Sequence, residues 1–248
     1  MRRLFLTTLS LVLLCCSCSV QQKRGSEHAT PTVARVGDDN FRHFLLESGF
    51  VKPYSGSMKG FGFWVSRNEV VESTPEGRAL LQLDCHGLDI KSLEGIELFG
   101  NLNVLICSEN PIRTIDLSRN PQLMQFYAIE VPLRSLDVSG NTKLKLLQSS
   151  FSRLRSLDVS HNPALEELLC IFAPHIKTID LSGNPELQVL YIRGTSIRTV
   201  DLRHNLQFRM LHALDTPLEN IVITPQHDVD SIQASVEDGV RISVEDCP

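Results

Sequence analysis

The sequence predicts a repeat solenoid, a curved parallel β-sheet of about seven rungs with a short helical cap before it and a β cap after it. Three observations carry that expectation. Nearly identical eight-residue phrases recur as RTIDLSRN, RSLDVSGN, RSLDVSHN, KTIDLSGN and RTVDLRHN, with aspartates at Asp116, Asp137, Asp158, Asp180 and Asp201. Their spacings are 21, 21, 22 and 21 residues, a period at which each unit buries its apolar edge only by stacking on the next. A second, apolar phrase precedes each refrain in step with it, and both ends of the array depart from the pattern, as terminal repeats must.

The apolar phrases read LNVLICSEN from Leu102, LMQFYAIEV from Leu123, LKLLQSSFS from Leu144, LEELLCIFA from Leu165, LQVLYIRGT from Leu187 and FRMLHALDT from Phe208. An earlier copy, LLQLDCHGL, begins at Leu80. The shared L-x-x-L-x-[C/A/S/I] frame is the leucine-rich repeat pattern, with seven rungs across 80–226. Rungs in register lie about 4.8 Å apart, so equal positions stack into apolar ladders, and a charge at Leu105 or Leu190 would be buried unpaired.

One ladder holds Cys85, Cys107, Ala128, Ser149, Cys170, Ile192 and Ala213. Cys107 and Cys170 stand three rungs apart, on the order of 14 Å, beyond disulfide reach. Cys85 and Cys107 are neighbours whose side chains run side by side, the wrong orientation for a relaxed bridge. Buried free thiols are expected. The refrain aspartates form an outward column of like charge, with Arg113, Arg134, Arg155, Lys177 and Arg198 as a compensating column three residues earlier. Asn120, Asn141, Asn162, Asn184 and Asn205 stand where amides can bond the backbone between rungs. Calcium would need six or more convergent oxygens, so no metal and no cofactor are expected.

The first residues, MRRLFLTTLSLVLLCCSC, have a cationic start and an apolar run too short to span a bilayer. Residues 1–17 are expected to be a lipoprotein signal peptide, with Cys18 acylated after small Ser17 and Cys16 as the alternative site. A plain secretory signal with spare cysteines is the other reading. Acyl chains would then hold the protein on a membrane. Residues 18–37 read as a flexible tether, 38–79 as the N-terminal cap and 227–248 as the C-terminal cap. Asp38 can cap a helix whose Phe41, Phe44 and Leu45 form an i, i+3, i+4 stripe. Removing Arg2 and Arg3 takes the net charge from -5 to -7, which disfavours nucleic acid.

The phrases DDNFRHFLLE, LDCHGLDIKSLEGIELFGNLNVLICSENPI and the refrain together resemble the internalin-related leucine-rich repeat proteins of bacterial surfaces, especially the cysteine-ladder subgroup with 21-residue repeats common in Bacteroidetes. The resemblance implies secretion or surface attachment and a binding or adhesive role without catalysis. Relatives often carry an aspartate-rich, EF-hand-like loop before the first rung. Here that segment, from Phe50 to Ser73, has no carboxylates at alternating positions, so no metal is carried over.

Function in a solenoid sits in the outward strand positions. Those columns place Tyr127, Ile129, Phe151, Leu169, Ile171, Phe172, Tyr191 and Arg193 together on the middle rungs, where a merely soluble frame would carry Ser, Thr, Asn or Lys. An apolar patch with a charged rim (Glu130, Arg193, Asp215) fits a protein partner. Phe151 and Phe172 have an alternative, which is to fold back into the solenoid. Enzymatic readings do poorly. His161 and His204 are two rungs apart, on the order of 10 Å; Ser160 and His161 are expected on alternate sides; Glu166 and Glu167 mark a solvated face; and no phosphate loop or H-E-x-x-H motif is present. The expectation is a monomeric, lipid-anchored protein-binding module of the outer membrane, with surface display preferred. The alternative is an envelope assembly or scaffold lipoprotein facing the periplasm.

Overall fold

A computed structural model describes residues 33–55, 69–228, 236 and 239–246. The expected signal peptide, Cys18 and Cys16, the tether up to residue 32, and Cys247 lie outside the described residues.

Seven parallel strands form the repeat sheet: β4 (Gln82–Asp84), β5 (Val104–Ile106), β6 (Gln125–Tyr127), β7 (Leu146–Gln148), β8 (Glu167–Leu169), β9 (Val189–Tyr191) and β11 (Met210–His212). They pair in chain order and in strict register, Leu105 beside Phe126, Leu147 beside Leu168, Leu190 beside Leu211. Two inward columns follow from the pleat, because side chains alternate with period two. The first is Leu83, Leu105, Phe126, Leu147, Leu168, Leu190 and Leu211, and the second is the column with the cysteines; every member of both is buried. Cys85, Cys107 and Cys170 are free thiols. The Cys85 and Cys107 thiols donate to the carbonyls of Ile106 and Tyr127 on the next rung, at 3.4 and 3.5 Å.

On the opposite side the refrain makes the return. Its five asparagines are fully buried and form a ladder. Asn162 Nδ2 donates to Val138 O at 3.0 Å and to Asn141 O at 2.9 Å, and Asn141, Asn184 and Asn205 repeat the pattern one rung on. Their Oδ1 atoms accept no hydrogen bond among the described residues, so the ladder works by donation alone. It ends at His227, which stands 22 residues after Asn205. There Nε2–H donates to Asn205 O at 3.1 Å, while Nδ1 accepts from the Thr224 N–H at 3.2 Å.

The aspartates do something other than answer a basic column. Each accepts the backbone N–H two residues on, Asp137 from Ser139 and Asp158 from Ser160, both at 2.9 Å. The hydroxyls of Ser139 and Ser182 add bonds to Asp137 and Asp180 at 2.6 and 2.7 Å. The expected compensation by Arg113, Arg134 and Arg155 is absent from the ion pairs of the described residues, because the turn's own donors satisfy the carboxylates first.

The N-terminal cap is a helix and a small sheet. Helix α1 (Asp39–Glu47) starts at Asp38, whose Oδ1 accepts the Phe41 N–H at 2.9 Å and whose Oδ2 accepts Lys91 N–H at 2.8 Å. One carboxylate thus caps the helix and fastens it to the first rung. Phe41 and Leu45 are buried, and Phe44 packs against the core. Strands β1 (Val33–Arg35), β2 (Val51–Pro53) and β3 (Val70–Ser73) pair antiparallel in the order β1–β3–β2, and the four-residue helix α2 (Pro75–Arg78) leads into β4. Residues 33–35, assigned to the tether for lack of periodicity, therefore open the cap. At the other end β10 (Thr199–Asp201), β12 (Asn220–Ile223) and β13 (Arg241–Val244) form a second parallel sheet on the refrain side.

Candidate partner-binding face

The outward residues of each strand alternate with the ladder residues, so they occupy the first and third strand positions. The third position holds Ile106, Tyr127, Gln148, Leu169, Tyr191 and His212. Tyr127, Leu169 and Tyr191 are half-buried side by side on this face, and Gln148 is buried between them. Tyr191 stacks on His212 with centroids 5.2 Å apart and planes 11° from parallel. Burial, and then the Arg193 charge, lower the His212 pKa. Sequence reasoning passed over the first position, where Val104, Leu146, Val189 and Met210 lie on the same face. The period-two alternation that placed Tyr127 outward also places Gln125 outward, and was the signal available.

The chain then turns at one fixed place. Gly87, Glu109, Glu130, Phe151, Phe172, Gly194 and Asp215, equivalent in every rung, all have positive φ. From Gly87 to Phe172 the turn keeps these N–H groups in the ladder, Phe151 donating to Ile171 O and Phe172 to Arg193 O, both at 2.7 Å. A phenylalanine in left-handed backbone is a true outlier, costing on the order of 1–2 kcal/mol. Two of them stand on adjacent rungs, and they do not fold back into the core. Phe151 is 43% exposed, and Phe172 is half-buried beneath it with ring centroids 5.0 Å apart. The Arg193 guanidinium lies 5.5 Å from the centre of the Phe172 ring, and its Nε donates to Asp215 Oδ2 at 2.8 Å.

The column between strand and turn corrects one expected site residue. Ile171 is only 9% exposed and offers a partner almost nothing; Ile129 is half-buried. Ser108 and Ser150 in the same column are buried, and their hydroxyls accept the N–H groups of Ile129 and Ile171 at 3.1 and 3.3 Å. At Ser108, Ser150 and Ile171 this column therefore faces the turn rather than solvent, whereas further along it Leu214 is 38% exposed. The face resolves into two stripes, Tyr127–Leu169–Tyr191 on the strands and Phe151–Phe172–Arg193 on the turn edge.

Of the catalytic candidates, Glu167 opens β8 and stands exposed on this face beside Leu146 and Val189, while Ser160 and His161 lie at a refrain turn. Ser160 and His161 do meet, Oγ to Nδ1 at 3.0 Å, against the expectation that they alternate. The chain is turning there, so alternation does not apply. Both are exposed at a refrain turn, and among the described residues no hydrogen bond orients the other nitrogen of His161. Among the described residues no three His, Cys, Asp or Glu side chains converge.

No protein-family model matches the chain, and no curated protein sequence does. Solved structures do match. An internalin of Listeria monocytogenes, InlF, superposes with a TM-score of 0.58 at 16% identity, covering 85% of this chain and 71% of that one. Internalin C2 of the same organism gives 0.51 at 13% identity, covering 89% of this chain and all of that one. The fold is that of the internalin leucine-rich repeat solenoids. A domain of InlJ from Listeria monocytogenes, described as including a cysteine ladder, matches at 0.49 and 20% identity, and this chain spans 63% of its length. In this chain the strand face carries Tyr127, Leu169 and Tyr191, and the turn edge beside it carries Phe151, Phe172 and Arg193.

Proposed function

We propose that this chain is a non-enzymatic protein-binding module of the bacterial envelope. It recognises its partner through the outward strand face and the turn edge beside it, with Tyr127, Leu169, Tyr191, Phe151, Phe172 and Arg193 in contact and Ile129 and Ile171 supporting them. It is a monomer, held on the outer membrane by acyl chains on Cys18, or on Cys16, and displayed at the cell surface. The observation that supports this reading most directly is the pair Phe151–Phe172 in left-handed backbone, with Phe151 exposed and its ring tilted against half-buried Phe172. A solenoid that served only as a spacer would relieve that strain with glycine or asparagine.

Two measurements test it. Replacing Tyr127, Leu169 and Tyr191 with serine leaves the melting temperature nearly unchanged and abolishes capture of the partner; full capture by the triple variant overturns the binding face. Protease shaving of intact cells, with a periplasmic protein as lysis control, digests the chain if it is displayed. Protection until the outer membrane is opened assigns the same face to a periplasmic partner and rejects display.

A further inference from the structure

The turn edge is chemically uneven. On it Glu109 and Glu130 stand on successive rungs, then Phe151 and Phe172, then Asp215 beyond Gly194. The row carries three carboxylates and no basic residue of its own. At its C-terminal end the chain supplies its own cation: the Arg193 guanidinium covers one face of Phe172 and is held by Asp215. Aromatic face and carboxylate together make a guanidinium site, and the protein fills it from within.

The N-terminal half of the row repeats the same components in mirror order. One face of Phe151 packs on Phe172, tilted by 34°, and the rung of Glu130 lies next to it on the other side, about 4.8 Å away. Neither Glu130 nor Glu109 belongs to an ion pair among the described residues, and the nearby His86 pairs with Asp84 at 2.8 Å. We infer that Phe151, with Glu130 and Glu109 beside it, is a subsite for an arginine or lysine side chain from an extended basic segment of the protein partner. Charge complementarity and the internal example at Phe172 both select a cation. This rests on the binding reading above and adds the chemistry of the partner.

The test uses the full chain in detergent and a fluorescein-labelled peptide of Gly-Ser-Arg repeats, with a Gly-Ser-Gln peptide as its neutral counterpart. Fluorescence anisotropy shows salt-sensitive binding of the arginine peptide and none of the glutamine peptide. Phe151→Leu, which keeps an apolar side chain but removes the π face, weakens binding about threefold or more, and Glu130→Gln does the same. Glu76→Gln, a remote acid on the cap, leaves it unchanged. Equal binding by the Phe151→Leu and wild-type chains, or by the two peptides, overturns the subsite. If the triple serine variant loses the natural partner while Phe151→Leu keeps it in full, the strand face stands and the subsite falls. If Phe151→Leu loses the peptide while the triple variant keeps the partner, the subsite stands and the strand-face reading falls.

Discussion

The ring of Phe172 occupies the space a side chain on Gly194 would need. A Cβ built there would stand 2.5 Å from Phe172 Cδ1, and Gly194 itself turns at φ +68°. One rung's missing side chain thus sets the pose of its neighbour's ring, and with it the platform under Arg193. Gly194→Ala should cost roughly 2–3 kcal/mol, from left-handed strain and from displacing the ring. The urea midpoint measures the cost. An unchanged midpoint would mean that the ring is not seated on this glycine.

The amide ladder makes a second expectation. Asn162→Ala leaves the carbonyls of Val138 and Asn141 without their donor in the interior, at a cost of about 2–4 kcal/mol. Asn162→Asp should cost more, since it removes the donor and buries a charge. His227→Asn restores the repeat residue and should be tolerated, whereas His227→Ala should lower the chemical midpoint. Equal stability of these two His227 variants would remove His227 from the ladder.

Acid should find the refrain. Asp116, Asp137, Asp158, Asp180 and Asp201 all have carboxyls held below their ordinary value of 3.8, chiefly by the donors two residues on: a serine hydroxyl and backbone N–H in the first four, Arg203 in the last. A depressed folded pKa stabilises above the unfolded value and loses that contribution as pH falls through the folded one. Urea midpoints should therefore hold level above about pH 5 and drop below 3.8. The double variant Asp137→Asn, Asp158→Asn keeps the accepting oxygen and should show a shallower acid limb. An unaltered limb would assign acid sensitivity elsewhere.

The thiols should be silent in the folded chain. Burial pushes Cys85 and Cys170 up to about 12 and raises Cys107 well above its ordinary value, so almost no thiolate is present at neutral pH. Iodoacetamide should label none of the three natively and all three in urea. Rapid native labelling would require the rungs to breathe.

Seven rungs, two inward columns and the bonding role of the asparagines were legible because each rests on one repeated residue type at one spacing. Ile171 was misread because strand alternation was extended past Leu169, where the backbone has begun its turn and sequence parity no longer gives the side chain's direction. The sheet around α1 was hidden for another reason. Val33–Arg35 and Val51–Pro53 are three-residue strands, too short for a period to show, and they pair with Val70–Ser73 far along the chain. The exposure of Phe151 rests on a positive φ that only its column mates Gly87 and Gly194 advertise.

The strict rung-to-rung register also fixes how the molecule answers force. Every hydrogen bond of the seven-stranded sheet runs along the stacking axis, so tension applied between the two ends of the array peels rungs one at a time rather than shearing them together. Each 21-residue repeat would release roughly 70 Å of chain. A tether built on such a frame lengthens in steps under load before it lets go.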